Sequence, residues 1–284
     1  MTTVVAPNVF NVAVEGTFDD CQDIVKAMFA DVAFRDRVNL AAVNSINWAR
    51  VMAQVVYYEW AAAKAGDRPV SVTVPTGNFG NVFAGRVAKR LGAPIGEFVV
   101  ASNRNAILTQ FFQTGAMTIG DVEPSLSPSM DIQVSSNLER LIFELLGNDG
   151  FEVQQLMAAF RHEQHVTLPS DLIPRMQEGW VGESVTDEQT TEIIADVYAE
   201  SGVLLDPHTA VGVAAARRRP DAMQRLVMAT AHPAKFPDAV EASTGVRPSL
   251  PAHLSDLFER DERYEVLPNE LTVVQDFVEA NRQG

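Results

Sequence analysis

Within this 284-residue chain, the segment best suited to holding a ligand is Val72-Thr73-Val74-Pro75-Thr76-Gly77-Asn78-Phe79-Gly80-Asn81. A compact apolar run leads there into a Gly-rich turn, and helical periodicity follows. Glycines in a strand-to-helix turn accept positive φ and let the backbone approach a bound group closely. Successive N–H groups in such a turn form a concave donor array for an anion, and the helix behind it adds its positive end. Thr76, Asn78 and Asn81 offer side-chain donors as well. On this reading a β-branched residue at Gly80 would resist the required φ and crowd the array. The same residues also suit a plain turn with the asparagines as caps, and the spacing is neither a Walker sequence nor a Rossmann fingerprint. Spacing alone leaves both readings open and does not identify the anion. Elsewhere the single cysteine, Cys21, excludes an internal disulfide framework and reads as a small packed thiol. No Cys, His and carboxylate spacing suggests a metal site.

The turn needs a scaffold, and the surrounding sequence alternates strand with helix. Residues 9–14, 70–74 and 98–101 read as strands, and 18–29, 46–63, 82–91 and 106–112 as helices. This alternation predicts an α/β layer with parallel strands. After Gly120 the prolines at 124 and 128 and several serines mark an irregular connection, followed by helical patterns over 138–146, 153–161 and 187–201. Thr186 is the expected N-cap of the last of these. Strand-like residues return at 203–205 and 226–230, and 269–281 is an amphipathic helix. The organisation expected is an α/β region over 1–120, a mainly helical insertion over 121–202 and an α/β return over 203–284. Phe29, Trp48, Trp60, Phe79 and Trp180 are expected as packing residues.

Composition narrows the partners. Lys and Arg total 22 against 37 Asp and Glu, a net charge of −15. Nucleic-acid binding and polybasic membrane contact both call for the opposite balance. Arg217, Arg218 and Arg219 form the one basic cluster, as suits a helix end. An anionic ligand would be repelled at long range, so a phosphate site here must rely on local backbone donors. No apolar run approaches the roughly 20 residues of a membrane span, and Met1–Phe10 lacks the pattern of a secretory signal. With one cysteine, the expected compartment is the reducing cytoplasm.

Seven segments then read together as a family. They are Gly16-Thr17-Phe18-Asp19-Asp20-Cys21-Gln22, Asn44-Ser45-Ile46-Asn47-Trp48-Ala49-Arg50, Pro75–Asn81, Ser127-Pro128-Ser129-Met130-Asp131-Ile132, Ser135-Ser136-Asn137-Leu138-Glu139-Arg140, Asp206-Pro207-His208-Thr209-Ala210-Val211-Gly212 and Thr230-Ala231-His232-Pro233-Ala234-Lys235-Phe236. In this order they resemble threonine synthases. The resemblance implies a type II pyridoxal-phosphate fold, like that of the tryptophan synthase β chain, and conversion of O-phosphohomoserine and water to threonine and phosphate. It implies that Gly77, Asn78, Phe79 and Asn81 hold the phosphate of pyridoxal 5'-phosphate, although family members often carry aspartate at the position of Asn81. Thr230 is then the hydroxyl that bonds the pyridine nitrogen; without the family it reads as a buried hydroxyl at a strand end.

For the substrate phosphate the resemblance offers Asn44, Ser45, Asn47, Arg50, Asn137 and Arg140, since an arginine fork suits phosphate. The alternatives are local: Asn44 and Ser45 as caps of the next helix, and Arg140 paired with Glu139 or Glu144. His208 and His232 neighbour prolines at element ends, where structural roles are expected. Pyridoxal-phosphate chemistry also needs a Schiff-base lysine. The lysines here are Lys26, Lys64, Lys89 and Lys235, and none lies in the family's Phe-Lys-Asp motif, which would fall upstream. Met1 therefore resembles an interior point of a longer enzyme, and a missing N-terminal segment or a complementing chain is the expected partner. Another type II pyridoxal-phosphate lyase or dehydratase, or a non-catalytic cofactor-binding subunit, are the alternatives.

Overall fold

A computed structural model describes residues 1–16, 18–45, 47–219 and 223–282, without the side chains of residues 18, 19 and 22. In chain order the elements are β1 (Val12–Val14), α1 (Phe18–Ala30), α2 (Val32–Val38), α3 (Trp48–Ala65), β2 (Val70–Pro75), α4 (Gly80–Leu91), β3 (Ile95–Ser102), α5 (Ile107–Thr114), β4 (Ala116–Thr118), α6 (Leu138–Leu145), α7 (Gly150–Glu163), β5 (His165–Thr167), α8 (Leu172–Gln177), β6 (Trp180–Ser184), α9 (Asp187–Ser201), α10 (Pro207–Arg217), β7 (Gln224–Val227), α11 (Pro237–Thr244), β8 (Glu265–Leu267) and α12 (Leu271–Ala280). They form two compact units, one of residues 43–249 and one of residues 1–42 with 250–284. The unit boundaries fall at 42 and 249 rather than at 120 and 202; β7 returns to the sheet of β2 and β3 as expected, and β6, from the stretch expected to be mainly helical, joins it too.

In the 43–249 unit the sheet order is β6-β3-β2-β7, and every neighbouring pair is parallel. β2 is buried along its whole length and β3 nearly so, as in a parallel sheet covered on both faces, so that Ser71 and Thr73 are buried along with the valines of β2. The registers pair Val74 with Val100, Thr73 with Val227 and Ser102 with Ser184, so all four carboxyl ends share one edge of the sheet. Ligands of α/β folds gather at that edge. Below it, Trp180 stacks on Phe98 at 4.8 Å, on Phe112 at 5.2 Å and on Phe79 at 5.6 Å. α10 lies close to the same strands, because a Cβ on Gly212 would stand 2.9 Å from both Pro75 and Val227. The other unit holds the two parallel strands β1 and β8, with α1, α2 and α12 around Ile24, Met28, Phe34 and Val274.

Several sequence expectations change. β6 was not anticipated, since Trp180-Val-Gly-Glu-Ser184 carries a glycine that reads as a strand breaker. A Cβ on Gly182 would lie 2.8 Å from Thr109 Cα, so the glycine admits α5 rather than ending the strand. Residues 203–205 are not a strand: they are three residues between the left-handed Gly202 cap of α9 and the Asp206 cap of α10. Trp48 and Trp60 are not core residues. Along α3, Val51, Val55, Tyr58 and Ala62 face inward, whereas Trp48, Met52, Val56 and Trp60 form an exposed apolar stripe. Among the described residues, no helix is long and apolar enough to cross a membrane.

Candidate active site

The turn after β2 begins with Thr76, whose N–H bonds Ala101 O and whose hydroxyl donates to Val74 O. That hydroxyl is therefore committed to the strand. The next two carbonyls are gripped from one side: Ser135 Oγ donates to Gly77 O at 2.7 Å, and Asn137 Nδ2 donates to Asn78 O at 2.9 Å. The Asn137 N–H reaches Asn78 O as well, at 3.2 Å. In a trans peptide the N–H points opposite to the C=O, so these bonds turn the N–H groups of Asn78 and Phe79 outward. Gly80 and Asn81 open α4, and their N–H groups point out of its N-terminus. Phe79 occupies the cap position and has no polar side chain with which to close that end. Among the described residues, none accepts from the N–H of Asn78, Phe79, Gly80 or Asn81. Four outward donors at an uncapped helix start form the kind of donor array that suits an anion.

The glycines play a different part from the one expected. Neither Gly77 nor Gly80 has positive φ; Phe79 does, at +62°. Holding a bulky residue there costs about 1–3 kcal/mol, which burial of its ring in the aromatic stack offsets. Gly77 is required for room, since a Cβ would stand 2.6 Å from Ser129 O, a backbone atom. At Gly80 a Cβ would meet Asn137 and Ser45 at an ordinary 3.4 Å. Asn81 Oδ1 accepts from the buried Tyr58 hydroxyl, whose pKa burial raises well above the usual phenol value, so it stays a donor.

A second construction starts from the N-cap of α10. Asp206, followed by Pro207 at the first helical position, accepts from the N–H groups of His208 and Thr209. Its carboxylate also takes a bond from His208 Nδ1 at 3.0 Å and one from the Thr209 hydroxyl. His208 Nε2 accepts from Ser129 N–H at 3.2 Å, which assigns the ring proton to Nδ1. Thr209 Oγ1 accepts from Thr230 N–H at 3.1 Å. One buried carboxylate thus anchors both the segment under Gly77 and the main chain at Thr230. Burial alone would raise the Asp206 pKa; the bonds from His208 and Thr209 outweigh it and hold the group below the usual carboxylate value. Thr230 itself is exposed beyond β7, next to β2 in the sheet, and no described residue bonds its hydroxyl. The buried-hydroxyl reading does not apply.

The remaining expected residues divide by what they touch. Asn47 caps α3 by accepting from Ala49 N–H, the place expected of Asn44 or Ser45. Arg50 donates to Val43 O at 2.7 Å. Asn137 Oδ1 accepts from Arg140 Nε, and the Arg140 guanidinium lies 5.4 Å over the Trp48 ring rather than on Glu139 or Glu144. Ser45 abuts Gly80 beside Asn137. A cleft of about 680 Å³ opens here, lined in part by Trp48, Phe83, Ser136, Asn137, Arg140 and Phe143. None of the lysines reaches the turn. Lys89 bonds Gly96 O at the opposite end of β3, Lys64 lies over Trp60, and Lys235 is exposed over Phe236. Lys26 pairs with Asp23 in the other unit. Ser135, Asp206, Thr209 and Tyr58 were missed as contributors; Asp206-Pro207 carried the one readable signal, that of a helix start.

A family profile described as "Threonine synthase, C-terminal" matches residues 209–278. Threonine synthase of Pseudomonas aeruginosa is 52% identical over 283 residues, covering 98% of this chain and 60% of that protein. That of Saccharomyces cerevisiae is 40% identical over 295 residues, covering 95% and 55% respectively. The structure of pyridoxal-phosphate-bound threonine synthase from Brucella melitensis superposes with a TM-score of 0.90 at 47% identity, over 98% of this chain and 61% of that one. The parallel sheet, the donor turn at its carboxyl edge and these likenesses define the class, the type II pyridoxal-phosphate enzyme fold. The chain spans about 60% of the length of the relatives it matches. Within that class its likeness is to the threonine synthases, over the part of their length that it spans.

Two predictions come from this geometry. Gly77→Ala should cost about 1–3 kcal/mol in denaturant unfolding and weaken pyridoxal phosphate binding, whereas Gly80→Ala should change stability by less than about 1 kcal/mol. Equal effects of the two would mean that the approach of Ser129 does not shape the turn. For Asp206 the folded pKa is depressed, so its stabilisation is full above the unfolded value near pH 4 and is lost as pH falls through the lower folded value. Asp206→Asn should therefore lower Tm at pH 7 by about 3–10 °C. The gap to the unsubstituted protein should close below about pH 4; a gap constant from pH 7 to pH 3 would contradict this.

Proposed function

We propose that this chain carries the cofactor-phosphate site, the ring-nitrogen contact and part of the substrate side of a threonine synthase. That enzyme would convert O-phosphohomoserine and water to threonine and phosphate. The observation that carries the reading is the outward donor array at 78–81 beside the unpartnered Thr230 hydroxyl, both at one edge of a parallel sheet. The residues fit pyridoxal 5'-phosphate: four N–H donors, with Asn81 behind them, suit a phosphate ester, and a neutral hydroxyl suits an uncharged pyridine nitrogen. When bound, the cofactor supplies an electron sink for carbanion chemistry. The chain's own residues bind and orient. Gly77 leaves room for the turn, Asn78, Phe79 and Asn81 hold phosphate, and Thr230 holds the ring.

On the substrate side, Asn44, Ser45 and Arg140 bind the phosphate ester. Asn47, Arg50 and Asn137 hold the segments that present them: Asn47 caps α3, Arg50 donates to Val43 O and Asn137 grips Asn78 O. His208 is no proton carrier in this reading, because both ring nitrogens serve Asp206 and Ser129. The reaction runs in the cytoplasm, in keeping with the single cysteine.

The Schiff-base lysine comes from a polypeptide segment outside these residues, and that segment also covers apolar surface. The exposed stripe Trp48, Met52, Val56 and Trp60 supports this, as does the two-stranded parallel sheet of β1 and β8, an arrangement seldom left uncovered. The test is threonine formation from O-phosphohomoserine by the 284-residue chain, alone and co-expressed with a segment carrying a Phe-Lys-Asp motif. The expected result is no threonine from the chain alone, no cofactor mark on its lysines after borohydride reduction, and activity with the segment. Threonine formation by the chain alone, with a mark on Lys235, would overturn the reading. Failure to make threonine even with the segment bound would favour a non-catalytic cofactor-binding subunit.

A further inference from the structure

Thr209 touches no part of the donor array, yet its hydroxyl links the buried Asp206 carboxylate to the main chain at Thr230. We propose that Thr209 is a positioning residue that aims the Thr230 hydroxyl at the cofactor ring, while His208 separately sets the phosphate turn through Ser129. The inference rests on the assignment of 77–81 to phosphate and of Thr230 to the ring.

The direction of each bond follows from what each group can do. An ionised Asp206 can only accept, so the single hydroxyl proton of Thr209 is donated to it. Oγ1 then faces Thr230 with lone pairs alone and accepts its N–H at 3.1 Å. This bond matters because β7 ends at Val227. Among the described residues, the main-chain hydrogen bonds of 228–230 are Met228 N–H to Thr73 O and Thr230 N–H to Thr209 Oγ1. The first fixes where the chain leaves the sheet, and the second fixes where Thr230 stands two residues on. Thr209 is buried, and a valine in its place would keep the shape but lose both bonds. The two arms are chemically separate: His208 engages Asp206 Oδ1, and the Thr209 hydroxyl engages Oδ2. Loss of one bond should therefore loosen one end of the ligand and spare the other.

The experiment uses the full chain and two probes, pyridoxal 5'-phosphate followed by difference absorbance and inorganic phosphate by competition. Thr209→Val should weaken pyridoxal phosphate about fivefold to tenfold, the effect of one hydrogen bond. Inorganic phosphate should bind within about twofold of the unsubstituted chain, and Thr209→Ser should restore the pyridoxal phosphate affinity. In a Thr230→Val background, Thr209→Val should add no further loss, because its effect passes through the Thr230 hydroxyl. Should the valine variant not fold, Thr209→Ala removes the same hydroxyl without setting a methyl against the carboxylate, and is read the same way. Equal losses for both probes, or additive losses in the double variant, would show a general structural role and overturn the proposal. An unsubstituted chain that binds pyridoxal phosphate no better than inorganic phosphate would overturn the assignment of Thr230 to the ring, and the proposal with it.

Discussion

Two carbonyl oxygens, those of Gly77 and Asn78, are the points on which the site depends. Ser135 and Asn137 hold them from one side, and peptide planarity then leaves the following N–H groups no direction but outward. A helix start closed by a serine or aspartate cap would satisfy those donors internally. Here Phe79 takes the cap position with its ring in the core, and the end stays open. The backbone cost at Phe79 is borne by aromatic packing on Phe112 and Trp180. Core packing and the open helix end therefore share one residue.

This arrangement answers the charge problem of an acidic chain. A net charge of −15 disfavours anions at long range, but at physiological salt such fields are screened beyond about 8 Å. A hydrogen bond to a charged group contributes about 1.5–3 kcal/mol at contact, so four fixed donors outweigh a screened field. The turn itself has no lysine or arginine, so fixed N–H groups are what it presents. Arg140 lies over Trp48 in the neighbouring cleft, with its Nε on Asn137 Oδ1.

Much of the fold was legible because β2, β3 and the helices between them satisfy local rules: apolar runs of strand length, amphipathic helices and a Gly-rich turn. The Gly-rich turn between strand and helix was legible as well, though not its mechanics. Positive φ was assigned to glycine by propensity, whereas tertiary packing places it on Phe79, and Gly77 is needed only because Ser129 comes close. β6 was hidden by Gly182, whose purpose is contact with α5. Trp48 and Trp60 were taken for core by residue type, which cannot distinguish the two apolar faces of α3. The Asp206 network was out of reach because it joins residues 129, 206, 208, 209 and 230, and no local pattern encodes that convergence.

The account is tested most directly by a crystal structure of the chain with pyridoxal 5'-phosphate. It predicts phosphate oxygens within about 2.7–3.2 Å of the N–H groups of Asn78, Phe79, Gly80 and Asn81, with the ring nitrogen at the Thr230 hydroxyl. Phosphate bound elsewhere, or those N–H groups turned inward onto protein acceptors, would contradict it.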